Sequence, residues 1–320
     1  MLKVNERLSP LLSEPVPVPR LLKNALCCAS SKFVHVTESP CVIVTCPGMN
    51  WNARISTVFD AASARGANTT RRANTIASMP AATAPFVALA HEASRLGVAL
   101  ASEQLAVCER FSNELIEKNT SINLTAITEP VDIAHKHFLD SFTALAVRSW
   151  TGRERVVDVG SGAGFPGIAL RIAQPLIKLT LVESVTKKAR FLEETSTLLG
   201  LADVEVRNER AEVLGRQRRE RYDVGTARAV GTIGQCVEYL LAMLRVGGDA
   251  IVWKGRVDAE LSGAHKACAA MGGEIAAVVP TSSLGVGDVL PGRHLVVVRK
   301  TRSTPSRYPR SSAEARRRPW

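Results

Sequence analysis

The sequence has little from which to build a metal site or a disulfide framework. Its seven cysteines (Cys27, Cys28, Cys41, Cys46, Cys108, Cys236 and Cys268) are odd in number and include no C-x-x-C pair. Cys41 and Cys46 could act as metal ligands, but no partner pair is spaced to complete a zinc site. Cys108, Cys236 and Cys268 fall on apolar helical faces and read as small core residues. No metal and no disulfide set is expected, which suits a reducing cytoplasm. Long apolar runs are missing too: none approaches the roughly 18 residues of a membrane span, so no membrane partner is expected. Acids are scarce at the two ends. Residues 1–95 hold ten Lys/Arg against five Asp/Glu, residues 299–320 hold eight against one, and residues 96–298 hold 23 against 24. The net charge of +11 therefore sits in the ends, as in arms that meet a polyanion, and the C-terminal tail is read as an RNA contact.

At 320 residues and 46% apolar, the chain can bury a substantial core in one or two domains. Residues 1–84 carry little periodicity. Val16-Pro17-Val18-Pro19 is extended, and Ala61 to Ala84 is rich in Ala, Thr, Ser and Asn. This segment reads as an upstream-extended start, with Met79 the natural beginning, or as a disordered arm, in preference to an organelle transit peptide. Residues 85–152 read as a small helical cap. One helix has Ser102 as its cap and Leu105, Cys108, Phe111 and Leu115 on one face. Another begins at Pro130 with Phe138, Phe142 and Leu145 on one face. Residues 153–300 alternate strand and helix, including a helix at 186–199 with Phe191, Leu192, Thr195 and Leu198 inward. That alternation predicts a doubly wound, mostly parallel sheet whose last two strands pair antiparallel at one edge. Residues 301–320 form the basic tail, whose Pro305, Pro309 and Pro319 argue against packing.

The stretch from Val156 to Gly167 organises the rest. An apolar strand ends in Asp158 and enters a glycine-dense turn, from which an apolar helix leaves at Pro166. Glycines let backbone approach a ligand, and the helix start offers free N–H groups. Gly162 to Gly167 satisfies the dinucleotide pattern G-x-G-x-x-G, which by itself is weak. Asp158, two residues before Gly160, extends it to D-x-G-x-G-x-G, the signature of S-adenosylmethionine-dependent methyltransferases. The ammonium and sulfonium of that ligand favour a nearby carboxylate, whereas a pyrophosphate is repelled by one. A second strand, 177–182, ends in Glu183, an acid able to accept from both ribose hydroxyls. Gly162 and Glu183 are therefore cofactor-binding candidates.

Further motifs follow in order: Asn123-Leu124-Thr125, His137-x-x-Asp140-Ser141, Phe165-Pro166-Gly167, Arg210-Ala211-Glu212, Ala227-Arg228-Ala229, Lys254-Gly255 and Arg293-His294. Together they resemble the ribosomal RNA small subunit methyltransferase G family (glucose-inhibited division protein B) over about residues 95–310. The resemblance implies a class I S-adenosylmethionine-dependent methyltransferase fold, Rossmann-like, with a seven-stranded mostly parallel sheet behind the helical cap. It also implies methylation of guanine N7 in small-subunit ribosomal RNA; the expected partner is that RNA or its ribonucleoprotein particle, and a monomer is expected. It places cofactor contacts on Gly160, Phe165, Ala211, Glu212 and Arg228. The chain departs from the family at Lys118 to Ile122, which lacks the usual aromatic, and between Tyr308-Pro309-Arg310 and Arg318-Pro319.

Guanine N7 has an in-plane lone pair and no proton to lose, so attack on a sulfonium methyl needs no general base, and no catalytic base is named. His137 and Asp140, one helical turn apart, either hold the base or fix the cap on the sheet. Arg228 is read either as a ligand contact or as a surface ion pair. Two other readings stand beside methyl transfer: an NAD-dependent oxidoreductase, and a non-catalytic RNA-binding module with a vestigial donor loop.

Overall fold

Strand β1 (Arg155–Val159) buries four of its five residues, and so does β2 (Lys178–Val182). Val156 faces one side of the sheet while Val157 and Val159 face the other. Apolar contact on both sides explains why these strands read as continuous apolar runs rather than alternating ones. The computed structural model describes residues 82–320, so the reading of the N-terminal extension, together with Cys27, Cys28, Cys41 and Cys46, lies outside the described residues. The remaining strands are β3 (Val204–Arg207), β4 (Tyr222–Arg228), β5 (Leu244–Lys254), β6 (Gly273–Pro280) and β7 (His294–Lys300). They form one seven-stranded sheet in the order β3-β2-β1-β4-β5-β7-β6. The first five run parallel, and β7 lies antiparallel between β5 and β6. This is the doubly wound sheet that the alternation of elements predicts, antiparallel edge pair included.

Helices cover both faces. On one side lie α1 (Ala84–Arg95), α2 (Ser102–Ile122), α3 (Pro130–Ile133), one π-helical turn (Ala134–Leu139), α4 (Asp140–Ala146), α5 (Gly167–Ala173) and α6 (Thr186–Leu198). Their apolar residues join Val156, Leu179 and Leu181 in one core. The other side carries α7 (Ala211–Gln217), α8 (Ile233–Met243) and α9 (Asp258–Met271), which pack with Val157 and Val159 in a second core. The short α10 (Ser312–Arg317) follows the last strand. Parallel strands of this kind expose their carboxyl ends at one rim, where ligands collect.

Four local readings change. Ser102 is the first helical residue rather than the cap. Ala101 precedes it, and its N–H is satisfied by Gln104 Oε1 at 2.9 Å. The same Gln104 donates to the Ile172 and Ala173 carbonyls at the end of α5, so the helix start is tied to the sheet layer. On α6, Leu198 is exposed and Leu199 is buried instead, because the inward row 192, 195, 196, 199 follows the helical period. Arg210-Ala211-Glu212, which by its sequence reads as a short turn after the third strand, opens a helix.

The fourth concerns residues 302–320, which pack rather than extend. Thr304 and Tyr308 are buried, and Arg310 forks onto the buried carboxylate of Glu238 at 2.6 and 2.9 Å. Trp320 donates to that carboxylate at 2.7 Å. Prolines and arginines read as solvated when no partner is visible, and here the partner lies more than seventy residues away on α8.

Candidate functional site

Four strand ends converge on a cavity of about 720 Å³ at the rim. Gly160 follows β1, Glu183 follows β2, Arg228 closes β4 and Lys254 closes β5. All seven cofactor candidates, Gly160, Gly162, Phe165, Glu183, Ala211, Glu212 and Arg228, line this cavity.

The loop after β1 is built for close approach. Gly160 and Gly162 have φ of +68° and +52°, left-handed values that disfavour a Cβ. A side chain on Gly160 would lie 2.6 Å from Val230, whereas at Gly162 the nearest atom is the Gly160 carbonyl oxygen at 3.8 Å. Space above Gly162 is thus open to the cavity. The Gly162 N–H donates to Glu183 Oε2 at 3.0 Å and the Val185 N–H to Glu183 Oε1 at 2.8 Å. Glu183 therefore braces the loop with one lone pair on each oxygen and keeps others for a ligand.

Asp158 plays a different part from the one its motif suggests. Its side chain is 0% exposed and does not line the cavity. Oδ1 accepts from Thr226 Oγ1 at 2.8 Å and Oδ2 from the Gly167 N–H at 3.2 Å. Burial pushes its pKa up to about 6 against the pull of those hydrogen bonds. The acid shapes the loop from beneath, outside the cavity lining.

Phe165, in the loop after β1, packs among residues of α2 and the π-helical turn. Its ring is 3% exposed and stacked on Phe111 at 4.8 Å and on His137 at 4.7 Å, with Phe138 edge-on at 5.0 Å. Both ring faces are taken, which leaves its edge and backbone to the cavity. Arg228 lies 5.5 Å above that ring and donates to Asp140 Oδ2 at 2.9 Å, to the Lys136 carbonyl at 3.2 Å and to His137 Nδ1 at 3.1 Å. Arg228 lines the cavity, and its ion pair is with a buried acid, Asp140, rather than at the surface.

The environment of His137 sets its proton. Burial, followed by the adjacent Arg228 charge, lowers its pKa to about 3. Arg228 can only donate, so Nδ1 accepts and the neutral ring carries its hydrogen on Nε2, facing Thr125 Oγ1 at 2.9 Å. With both nitrogens engaged, His137 fixes the cap.

The sequence reading missed several cavity residues. Gln235 and Tyr239 lie four apart on α8 and are joined at 2.9 Å, a spacing visible in the sequence. Lys188 and Lys136 also line it, and no local signal marks them; Arg293, of the Arg293-His294 motif, lines it too. The rim is rich in cations, with acids confined to Glu183, Glu209 and Glu212. Cys108, Cys236 and Cys268 are buried core residues; burial pushes the thiols of Cys236 and Cys268 up to about 12. Among the described residues no group of three His, Cys, Asp or Glu is placed to hold a metal, and no helix is long and apolar enough to cross a membrane.

Comparison with known proteins gives matching descriptions. The family model for rRNA small subunit methyltransferase G matches residues 104–286. A protein of that name from Dehalococcoides mccartyi (strain CBDB1) is 42% identical over 225 residues, which is 69% of this chain and 94% of the relative. Its counterpart from Roseiflexus castenholzii is 43% identical over 231 residues, 71% of this chain and 96% of the relative. Among solved structures, the 16S rRNA N2 G1207 methyltransferase of T. thermophilus, in complex with AdoMet and guanosine, is similar at 15% identity and a TM-score of 0.35. That alignment covers 50% of this chain and 38% of that one.

Proposed function

The chain belongs to the ribosomal RNA small subunit methyltransferase G family, and on that premise we propose that the rim cavity binds S-adenosylmethionine and the base of small-subunit ribosomal RNA that receives its methyl group. The activity is S-adenosylmethionine-dependent methyl transfer to guanine N7 of that RNA; hydride transfer and a vestigial binding module have no support. The observation that carries the assignment is the pairing of Gly162 and Glu183 across the cavity floor. The left-handed loop brings backbone to the ligand, and the acid at the end of β2 presents acceptors beside it.

The donor set fits the methyl donor. Glu183 can accept from ribose hydroxyls, and Ala211 and Glu212, after β3, line the side on which adenine would lie. When bound, the donor supplies an electrophilic methyl on a sulfonium. The chain's own residues supply alignment and water exclusion. Arg228, His137 and Phe165 lock the cap over the rim, so the base meets a preformed slot. The methylated guanine is cationic, and the Arg228 charge on the slot wall is offset by Asp140. Lys136, Lys188 and Arg293 at the rim suit RNA phosphates, a sequence-independent attraction. In this reading the protein acts in the cytoplasm as a monomer, on the RNA or on its ribonucleoprotein particle.

The test is transfer of labelled methyl from S-adenosylmethionine to naked small-subunit ribosomal RNA and to 30S particles, with the modified base mapped. A label at N7 of one guanine is expected. Label on another atom, or none with either substrate while S-adenosylhomocysteine still binds, would overturn the substrate assignment.

A further inference from the structure

The packed C-terminal segment reaches a cavity-lining residue, Glu212, through a single side chain. Ser312 Oγ, at the start of α10, donates a hydrogen bond to Oε1 of Glu212. Glu212 is the second residue of α7, is nearly buried and lines the cavity.

Ser312 is held in place by a clasp. Arg216 of α7 donates to the Pro309 carbonyl at 3.2 Å. Gly215 leaves room for the Pro309 ring, since a Cβ there would sit 3.1 Å from it. Arg219, just past α7, donates to the Tyr308 carbonyl at 2.6 Å. On α8, Glu238 is 1% exposed and receives Arg310 and Trp320 together. Trp320 lies against Gly234 of α8 and Gly263 of α9, where a Cβ would collide with it. The segment therefore bridges α7 and α8, the two helices that bring Glu212, Gln235 and Tyr239 to the cavity.

We propose that this segment is a positioning clasp for the methyl donor: Ser312 orients the Glu212 carboxylate so that its second oxygen accepts from the amino group of the donor's adenine. The inference rests on the donor-site reading above. A carboxylate on a short helix has several rotamers, and a fixed neighbour on one oxygen removes most of them before the ligand arrives. Ser312 does not touch the donor and acts through Glu212.

Titration calorimetry of the full chain with S-adenosylhomocysteine tests it. Ser312→Ala should weaken binding roughly 5- to 10-fold, the scale of one hydrogen bond to a charged group. The melting temperature should change little, and Ser312→Thr should restore affinity. S-inosylhomocysteine, which carries an oxygen in place of the adenine amino group, separates positioning from general support. The wild-type chain should bind it more weakly, and Ser312→Ala should add no further loss. Unchanged affinity of Ser312→Ala for S-adenosylhomocysteine overturns the proposal, as does an equal loss for both ligands. A wild-type chain that binds neither ligand overturns the donor-site reading and the clasp with it.

Discussion

Arg228 and Asp140 form a buried ion pair at 2.9 Å that joins the end of β4 to the start of α4. Asp140 is fully buried, and its other oxygen has no hydrogen bond, only the Arg293 guanidinium at 3.8 Å. Such a pair adds little net stability over an apolar replacement, but breaking it from one side is costly. Arg228→Ala is therefore predicted to lower unfolding free energy by about 3–5 kcal/mol. Asp140→Asn, which keeps an acceptor for Arg228, should cost less. Urea denaturation of both variants decides this, and an Arg228→Ala chain as stable as wild type would mean the pair does not hold the cap.

His137 predicts a pH effect of definite sign. Its pKa falls from an ordinary 6.5 to about 3, so the folded state refuses a proton that the unfolded chain accepts. The stability it contributes is complete above pH 6.5 and is lost as pH falls from there toward 3. Each unit of that window costs about 1.4 kcal/mol for one proton. His137→Phe keeps an aromatic ring against Phe165 and removes the titration. Between pH 6 and 4, the wild-type unfolding free energy should fall more steeply than that of His137→Phe by about one proton's slope. Parallel curves would place the proton elsewhere.

Glu183→Ala is predicted to leave the Gly162 and Val185 N–H groups without their acceptor and to remove ribose acceptors from the cavity. Donor affinity by calorimetry should fall roughly tenfold or more, equivalent to about 1–3 kcal/mol. Asp158→Ala should instead act mainly on stability, since its carboxylate serves Thr226 and Gly167 from below the loop. A variant of Glu183 that binds S-adenosylhomocysteine like wild type would remove Glu183 from the site.

The charge of the C-terminal segment divides into two roles. Arg310 is consumed by Glu238, whereas Arg316, Arg317 and Arg318 are exposed. Replacing these three by Ala should weaken binding to small-subunit ribosomal RNA and flatten its salt dependence, with donor affinity unchanged. Deleting residues 302–320 should do more, because it strips Glu238 of its partners and removes Ser312. Superimposable salt slopes for the triple variant and wild type would show that these arginines do not meet RNA.

Local chemistry in the sequence was enough to determine the strand, loop and helix around Asp158 to Gly167, the alternation that builds a doubly wound sheet, and the acid that ends β2. Each depends on near neighbours: a glycine needed for a left-handed turn, an apolar run needed for a strand buried on both faces, a carboxylate where a strand meets the rim. Tertiary structure decided how those groups are used. Asp158 faces downward because Thr226 and the Gly167 N–H lie within reach. Phe165 has no free ring face because Phe111 and His137, from the cap helices, close on it. His137 stays neutral because the fold buries it and because Arg228, ninety-one residues later, points at its Nδ1. Residues 302–320 pack because Glu238 waits on α8, one hundred residues separate Ser312 from the Glu212 it holds, and no local pattern records such a distance. A hydrogen-bond partner or a buried counter-charge is a property of where the chain folds back, and periodicity and motif spacing carry no trace of it.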